Sequence, residues 1–357
     1  MDLQGIGILA FAFIAAFVVV RILKPIAHYV ELVDKPGGRK HHEGVVPLIG
    51  GIAIYSSVCL TTFFFIDQPI FVRLFLLAGG LIVFMGSLDD RYQISAQFRL
   101  IGQFLVSSIF VYGLDVHIQT FGNLFGFGDL NPGWWGYPLA VLSLMGMVNA
   151  MNMLDGMDGL VGTISIVGMI GLVALFGFNG DATFQFLSLA FIGATTAFLI
   201  FNIWGSPVKK FQKVFMGDAG SMFLGLSLGV LLIQGSQSSS PAFSPIVALW
   251  FVLLPMTDMF TIMYRRLKRG RSPMAPDRTH IHHILMRAGF SGKQTLYVMV
   301  LIQAMFVGFG VVMMKFGVSD FLSFILAIAF VGVYQLVMKR SWRFIRWNKR
   351  RMTTQPI

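Results

Sequence analysis

Long apolar segments recur along the whole chain, separated by short polar connections. Each segment is close to the ~20 residues that an α-helix needs to cross the hydrocarbon core of a bilayer. We predict eleven spans, at 4–24, 45–66, 70–88, 98–116, 134–153, 160–178, 183–204, 214–234, 244–263, 294–315 and 319–338. The segments are continuous and do not alternate apolar with polar residues, which excludes a transmembrane β-barrel. The pattern predicts an all-α, polytopic integral membrane protein.

The composition agrees with a membrane protein and excludes a soluble one. Of the 357 residues, 56% are hydrophobic and 12% are charged, whereas about 25% are charged in an ordinary soluble domain. A soluble fold has too little interior to hide this much apolar surface. Because the connections are short, we predict a single transmembrane domain over 1–357, whose last part, 338–357, is a basic cytoplasmic tail. The lone cysteine, Cys59, excludes a disulfide within the chain.

The distribution of Lys and Arg predicts the orientation. Basic residues are concentrated in the connections on one side of the spans, at 35–40, 91, 209–213 and 265–271, and in the tail 339–351. Cytoplasmic connections carry such an excess, so an odd number of spans places the N-terminus outside and the C-terminus in the cytoplasm. The same asymmetry accounts for the net charge of +11. We therefore expect the tail to contact anionic lipid headgroups of the bilayer and expect no nucleic-acid partner.

Acidic residues are rare, and several of the sixteen lie where spans reach the cytoplasmic side. Four spans contribute them: Asp89 and Asp90, Asp155 and Asp158, Asp218, and Asp258. Solvation or helix capping explains one such residue, but ionisable groups that converge at one membrane depth indicate a functional site. For Asp258, which lies deeper in its span, an ion pair with Arg265 or Arg266 is an equal alternative.

A repeated spacing surrounds two of these acids. Amide and carboxylate side chains recur at every third position, at Asn149, Asn152, Asp155 and Asp158. Gly156 and Gly159 allow the helix to break there, which would direct the set into a cytoplasmic cleft. Oxygen ligands of this kind suit Mg²⁺ or Mn²⁺, which few protein groups hold and substrate phosphates complete.

The last cytoplasmic connection supplies the complementary charge, in the run Asp277, Arg278, His280, His282 and His283. Several histidines close together are one way to bind zinc, but no cysteine is near and Arg278 would repel a cation. Arginine with histidines is more typical of a site for phosphate oxygens, and we favour that interpretation. Acids, a divalent cation and a basic run at one membrane face predict phosphoryl transfer that involves a lipid.

Several motifs, in order along the chain, carry a family resemblance. They are 32–36 (LVDKP), 39–42 (RKHH), 47–51 (PLIGG), 88–91 (LDDR), 149–159 (NAMNMLDGMDG), 214–221 (VFMGDAGS) and 277–283 (DRTHIHH). On these residues the chain closely resembles the polyprenyl-phosphate N-acetylhexosamine-1-phosphate transferases, a glycosyltransferase family 4 group, over nearly its whole length.

The resemblance implies an activity. Its closest pattern is that of members that transfer GlcNAc-1-phosphate from UDP-GlcNAc to undecaprenyl phosphate, which yields undecaprenyl-diphosphate-GlcNAc and UMP and requires Mg²⁺ or Mn²⁺. It also implies a multi-pass enzyme of the bacterial inner membrane with its active site at the cytoplasmic face. Such an enzyme carries out the first membrane step of a cell-surface polysaccharide, of the lipopolysaccharide O-antigen or enterobacterial common antigen type. The oligomeric state stays open, and a homodimer is one alternative.

The resemblance further implies residue roles. Asp89 is the candidate base on the lipid phosphate, with Asp90 beside it, and Asp218 binds the metal with help from Asn152. The other matching positions are expected to bind substrate: Phe215 on uracil, Arg99 on phosphate, Arg278 and His280 on the diphosphate, and also Asp34, Asp155, Asp158, Asp277, His282 and His283.

Two alternatives concern the function. The same chemistry could use another UDP-N-acetylhexosamine or UDP-MurNAc-pentapeptide as donor. The Asp277–Arg278 pair and the interrupted histidines depart from the continuous histidine run of the peptidoglycan-precursor enzymes, which disfavours the larger donor. A membrane transporter is the alternative from another class. Carriers usually bind substrate near the bilayer midplane, whereas here the polar residues gather at one face.

Overall fold

A computed structural model describes residues 2–35, 44–67, 69–205, 213–274 and 279–353, with side chains to residue 340. These residues form an almost entirely helical molecule, as the apolar pattern predicts. The α-helices are α1 (Leu3–Tyr29), α2 (Gly50–Phe65), α3 (Ile70–Tyr92), α4 (Ala96–Gly113), α5 (Gly136–Leu154), α6 (Leu160–Phe178), α7 (Ala182–Ile203), α8 (Gly217–Gln237), α9 (Pro245–Lys268), α10 (Ile281–Arg287), α11 (Gly292–Lys315) and α12 (Asp320–Thr353). Two short strands, β1 (Val33–Asp34) and β2 (Val46–Pro47), and a 3₁₀ turn (Gly133–Trp135) complete the described elements.

Every predicted span coincides with one of these helices, and only the short α10 falls in a connection. Nine of the described helices are long and apolar enough to cross a membrane. Of the remaining three, α10 is short, α2 is apolar but has 16 residues, and in α4 Arg99 and two glutamines interrupt the apolar sequence. The polytopic all-α fold is confirmed, while the count of eleven spans and the orientation stay predictions.

The helix α8 lies at the centre of the bundle. Within its apolar stretch 89% of the residues are buried, compared with 17% in α12 at the periphery. It packs against α2, α3, α5 and α6, so almost no face of α8 meets lipid. A helix surrounded in this way needs small side chains at its contacts, since these let neighbouring backbones approach closely.

Glycines produce that close approach at the end of the bundle where α3 and α5 end and α8 begins, which we call the site face. A Cβ atom on Gly51 would overlap the backbone of Gly220, and one on Gly86 would overlap the backbone of Ala219. Farther along α8, a Cβ on Gly225 would lie 2.8 Å from the carbonyl oxygen of Met147. Helices α2, α3 and α5 are thereby held directly against α8.

A small backbone ribbon closes the site face. Strands β1 and β2 pair antiparallel, and Leu48 forms a parallel bridge with Phe215. The amide of Phe215 donates to the carbonyl of Pro47 at 2.9 Å, and the amide of Gly50 donates to the carbonyl of Phe215 at 3.0 Å. The connection after α1 is therefore attached to the segment that leads into α8, although the two are far apart in sequence.

Candidate active site

An acidic cleft of about 920 Å³ opens at the site face. It is bordered by the end of α3, the turn between α5 and α6, the start of α8 and the β-ribbon. Among its lining residues are most of the predicted carboxylates together with the predicted aromatic: Asp34, Asp89, Asp90, Asp155, Asp158, Asp218 and Phe215. The structure therefore brings these seven residues together from segments that span nearly two hundred positions of the sequence.

One arginine joins two of these carboxylates. The Arg99 guanidinium on α4 lies 2.8 Å from Oδ2 of Asp89 and 3.5 Å from Oδ2 of Asp218. Asp89 is 5% exposed, while the side chain of Asp218 is 36% exposed and open to the cleft. The buried Asp89 thus holds Arg99 in place, and Asp218 keeps surface available for a ligand.

Asp90 has a different position from its neighbour. Its carboxylate accepts the backbone N–H of Asp218 at 2.8 Å and that of Ala219 at 3.4 Å. These are unsatisfied amides of the first turn of α8, where a carboxylate also interacts favourably with the helix dipole. Gly217, with φ +73°, makes this approach possible, because any Cβ there would overlap the Asp90 carboxylate. Asp90 therefore anchors the backbone that carries Asp218.

Asn152 and Asn149 lie on the last turns of α5 and contact different partners. The Asn152 amide donates to Oδ1 of Asp218 at 2.8 Å and to Oγ of Ser221 at 3.1 Å. The Asn149 amide donates to Oε1 of Gln103 at 2.5 Å. Asn152 therefore touches the predicted metal ligand directly, whereas Asn149 ties α5 to the helix that carries Arg99.

The turn between α5 and α6 is broken as the glycines predict. Helix α5 ends at Leu154, and Gly159 adopts φ +77° before α6 begins. The N–H of Gly159 donates to Oδ1 of Asn202 at 2.6 Å, and the Asn202 amide donates to the carbonyl of Val214 at 2.9 Å. Asn202 on α7 thus fixes the turn and the segment before α8 relative to each other.

The two acids of this turn differ in their surroundings. Asp158 is exposed and forms an ion pair with Lys213. Asp155 lies deeper, and its pKa is raised well above the usual range, first by burial and then by the charges of Asp218, Asp90 and Asp158. Desolvation and like charge both disfavour the ionised carboxylate. A cation in the cleft would relieve that repulsion.

A second, smaller cavity adjoins the acidic cleft. This histidine pocket has a volume of about 230 Å³, and Gly156 lines both cavities. Its polar lining residues come from α4, α5, α9 and the segment around α10: Arg99, Asn149, Asn152, Arg266, His280, His282 and His283. The structure thus places three predicted histidines beside the acidic cleft. Asp277 and Arg278 lie outside the described residues.

His282 is fully buried at the wall of this pocket. Its pKa is lowered to about 3, first by burial and then by the charges of the neighbouring His283 and His280. Its ring nitrogens have no hydrogen-bond partner among the described residues, and any Cβ at Gly156 would overlap its imidazole. The predicted phosphate site therefore contains a neutral histidine, and two arginines, Arg99 and Arg266, line the part of it that the structure describes.

Asp258 contacts a residue that lines the histidine pocket, His280. Its carboxylate lies 2.7 Å from Nδ1 of His280 and accepts the hydroxyl of Tyr334 at 2.7 Å. Arg266, one of the two partners considered from the sequence, donates to the carbonyl of Pro273 at 2.5 Å. Among the described residues, the side-chain partners of the Asp258 carboxylate are therefore a site histidine and Tyr334.

The described part of the chain contains no group of three or more His, Cys, Asp or Glu side chains arranged to hold a metal ion. Structural zinc takes four protein ligands, so the zinc alternative gains no ligand set here. Asp218 with Asn152 forms a smaller, open pair of oxygen-bearing groups. Such a pair fits Mg²⁺, which is bound through one or two carboxylates and keeps waters and substrate phosphates.

Sequence reasoning missed three residues that hold the site together: Gln103, Asn202 and Tyr334. Gln103 and Asn202 are 1% and 4% exposed, and each joins two helices or loops of the site. A polar residue inside an otherwise apolar span is a detectable signal, because such residues face the bundle interior. Tyr334 gives no such signal, since tyrosine is common in spans near the interface.

Comparisons with known proteins agree with this geometry. A model described as glycosyl transferase family 4 matches residues 72–236. An undecaprenyl-phosphate alpha-N-acetylglucosaminyl 1-phosphate transferase of Salmonella typhi is 35% identical over 348 residues, which cover 96% of this chain and 94% of the relative. Proteins with the same name in Escherichia coli (strain K12) and Haemophilus influenzae are 36% and 31% identical, and cover 92% and 95% of this chain and 89% and 95% of their own lengths.

The matched region begins in α3 and ends in α8, so it includes the two helices that carry Asp89 and Asp218. The relatives extend the similarity to the histidine pocket and the last helices. This confirms the resemblance found in the sequence motifs, and the chain belongs to glycosyl transferase family 4.

Proposed function

We propose that this protein transfers GlcNAc-1-phosphate from UDP-GlcNAc to undecaprenyl phosphate, forming undecaprenyl-diphosphate-GlcNAc and UMP. The relatives named above carry this acceptor and this sugar in their names. The reaction takes place at the cytoplasmic face of a bacterial inner membrane, as the first membrane step of a cell-surface polysaccharide. Mg²⁺ or Mn²⁺ is its cofactor.

The observation that carries this proposal is the contact of Arg99 with both Asp89 and Asp218. It places a guanidinium between the acidic cleft and the histidine pocket. Two anionic substrates must meet in this reaction, and their repulsion is the main electrostatic problem. Fixed cations beside a metal-binding carboxylate are the means by which phosphoryl transfer enzymes offset it.

The reaction joins an oxygen of the lipid phosphate to the phosphorus atom that bears the sugar. The bond between that phosphorus and the oxygen bridging to UMP breaks, and UMP leaves with the electron pair. The lipid phosphate is a monoester whose second pKa is about 6, so it is mostly dianionic near neutral pH. Its oxygen therefore needs little deprotonation, which agrees with a buried, ion-paired Asp89 that orients more than it removes a proton.

Residues of both cavities bind the substrates. Arg99 and His280 hold phosphate oxygens of the donor, and Phe215 offers its ring to the uracil. Lys213, whose ammonium lies 5.6 Å from the centroid of that ring, keeps this aromatic beside Asp158. Binding both substrates in line then converts a reaction between two molecules into one within a complex.

Asp218 and Asn152 would hold the divalent cation. When bound, this ion neutralises charge on the diphosphate and on the departing UMP. Asp90 maintains the backbone of Asp218 in position.

The test uses the purified full chain in detergent with undecaprenyl phosphate, Mg²⁺ and radiolabelled UDP-GlcNAc. We expect label in the organic extract, release of UMP, and loss of both with EDTA. Asp218→Asn should lower the rate by about 10²–10³-fold, the usual cost of one transition-state contact. Asp181→Asn is the matched control, because Asp181 caps α7 at the opposite end of the bundle and asparagine also caps helices.

The outcomes separate the alternatives. Labelled lipid from a different UDP-N-acetylhexosamine or from UDP-MurNAc-pentapeptide, and none from UDP-GlcNAc, would retain the reaction and replace the donor. Folded protein that labels lipid with none of these donors would overturn the proposal and return a transporter as the candidate.

A further inference from the structure

Asp258 is a charged residue buried among the apolar side chains of α9. It is 1% exposed, and three groups surround its carboxylate. The ring nitrogen Nδ1 of His280 lies 2.7 Å from Oδ2. The backbone N–H of Ile281 and the hydroxyl of Tyr334 both donate to Oδ1, at 3.1 Å and 2.7 Å. An isolated buried carboxylate is very costly, so this complete set of partners indicates a built arrangement.

We propose that Asp258 is a positioning residue that keeps a proton on Nδ1 of His280, so that protonated His280 donates from Nε2 to a phosphate oxygen of the donor. The inference rests on the proposed function, since it names the part of the reaction that uses this histidine. Tyr334, on the last helix, holds the carboxylate in the orientation that this contact requires.

The proton assignment follows from the chemistry of the partners. A carboxylate only accepts hydrogen bonds, so Nδ1 of His280 must be the donor in the 2.7 Å contact. The second ring nitrogen, Nε2, lies on the opposite edge of the ring and is the one left for the pocket. A carboxylate on one nitrogen of a histidine both fixes the ring and stabilises its protonated form.

The charges around the pocket make this stabilisation necessary. Arg99 faces the pocket from α4, Arg266 from α9, and His282 and His283 from α10. His282 is neutral, because burial lowers its pKa to about 3, but the two guanidinium groups oppose any further positive charge. The negative charge of Asp258 offsets that opposition at His280.

The two donors on Oδ1 make the effect of one substitution unusually specific. In Asp258→Asn, the amide oxygen stays with Ile281 and Tyr334, because the backbone N–H of Ile281 can only donate and the Tyr334 hydroxyl can donate to the same oxygen. The amide nitrogen then takes the place of Oδ2 and presents N–H to Nδ1 of His280. Nδ1 must accept, so the ring proton moves to Nε2 and the doubly protonated form is lost.

The kinetic experiment compares Asp258→Asn, His280→Gln and the double variant in the labelled-lipid assay. We expect the KM for UDP-GlcNAc to rise about tenfold in Asp258→Asn, because a charged hydrogen bond becomes a neutral one. The KM for undecaprenyl phosphate should change less than twofold. The double variant should be no worse than His280→Gln, since residues that act through one another are not additive.

Thr261→Val is the matched control. Thr261 lies on the same helix and accepts the amide of Gln335 on α12 at 2.5 Å, so this change removes another polar contact between α9 and α12 without touching His280. We expect both KM values to stay within twofold of wild type. An equal rise in Thr261→Val and Asp258→Asn would assign Asp258 to helix packing and overturn the proposal.

A spectroscopic measurement tests the proton directly and needs no turnover. In ¹⁵N-histidine-labelled protein, with His280→Gln used to assign the signal, wild-type His280 should be protonated on Nδ1 and become doubly protonated when UDP and Mg²⁺ are added. Asp258→Asn should show a neutral ring protonated on Nε2. The wild-type spectrum is informative even if the variant fails to fold.

The kinetic and spectroscopic measurements distinguish a failure of the proposed function from a failure of the proposed role of Asp258. If the enzyme uses another donor, the spectrum still reports the Nδ1 proton, and only the proposed function is overturned. A wild-type His280 protonated on Nε2 alone, or additive losses in the double variant, would overturn the role of Asp258 while the transferase activity stands.

Discussion

The acidic cleft and the histidine pocket lie side by side at the site face and share Gly156, but their ionisable side chains are of opposite types. The cleft gathers carboxylates, and burial together with the charges of its neighbours raises the pKa of Asp155. The pocket gathers arginines and histidines and keeps one histidine neutral by burial. The carboxylates of the cleft favour a cation, and the guanidinium groups of the pocket favour an anion. Because Gly156 lines both cavities, ligands bound in the two would lie next to each other.

Arg99 is the residue through which the two cavities meet, and removing it should have the largest effect. Arg99→Gln leaves Asp89 and Asp218 without the guanidinium between them, and we expect kcat/KM to fall by about 10²–10³-fold. Arg99→Lys should recover only part of the loss, because an ammonium cannot contact two carboxylates in the same geometry.

The matched control is Arg73→Gln. Arg73 is exposed at the start of α3, far from the site face, so its loss should leave kcat/KM unchanged. A comparable fall in both variants would show that Arg99 contributes only through overall charge or folding.

Asp89→Asn separates orientation from binding in the acidic cleft. The amide keeps the shape of the side chain but loses the ion pair that holds Arg99 at 2.8 Å. We expect kcat to fall by about 10²-fold, a size typical of misplaced reacting groups, with a much smaller change in the KM for UDP-GlcNAc. Equal losses in the two constants would contradict an orienting role.

The histidine pocket should make the protein sensitive to acid. His282 has a folded pKa of about 3 and an unfolded value near 6.5, so the unfolded chain binds a proton first as the pH falls. The stability associated with neutral His282 is complete above pH 6.5 and is lost below it. In EDTA, the unfolding free energy of wild type should drop by up to about 2 kcal/mol more than that of His282→Gln between pH 7 and pH 5.

His28→Gln is the control for that comparison, because His28 is exposed near the end of α1. It should follow the wild-type pH profile. If His282→Gln loses as much stability on acidification as wild type, the burial of a neutral ring is not the cause.

The acidic cleft should show the reverse dependence. The raised pKa of Asp155 means that its ionisation costs stability in the folded protein. This cost is absent below the unfolded value of about 3.9, grows between the unfolded and the folded value, and is complete above the folded value. In EDTA at pH 8 we expect Asp155→Asn to be about 1 kcal/mol more stable than wild type, or roughly 2 °C higher in Tm.

Asp158→Asn is the matched variant, since Asp158 lies in the same turn but is exposed and paired with Lys213. It should bring no such gain. Mg²⁺ should reduce the advantage of Asp155→Asn, and an advantage that is independent of pH and Mg²⁺ would indicate a simple packing effect.

Much of the site was predictable because its residues violate the apolar pattern. Asp89, Asp155 and Asp218 stand out as acids at the ends of apolar spans, and all three line the same cleft. The hydrogen-bond partners of each acid were not predictable. Asp90 has the same residue type as its neighbour Asp89, yet it caps α8, because the geometry of Gly217 brings that backbone to Asp90 and not to Asp89.

Asp258 shows the same limit in another way. From its depth in α9, a functional role and an ion pair with a nearby arginine were equally supported. Its partners, His280 and Tyr334, lie in two other segments that are each more than twenty residues away. Hydrogen-bond partners across such separations depend on how α9, α10 and α12 pack, which periodicity within one helix does not contain.

By itself the sequence determined that this chain is an all-α membrane protein, which segments form its helices, and which residue types meet at the site face. Length, hydropathy and charge are local properties of a segment. Because a bilayer admits only apolar helices that are long enough to cross it, these properties determine which segments span the membrane. The tertiary structure decided which acid binds which partner, the division into two cavities of opposite charge, and the neutrality of His282. Those features depend on distances between helices and on burial, and both arise only when small residues such as Gly86 and Gly220 let the helices pack.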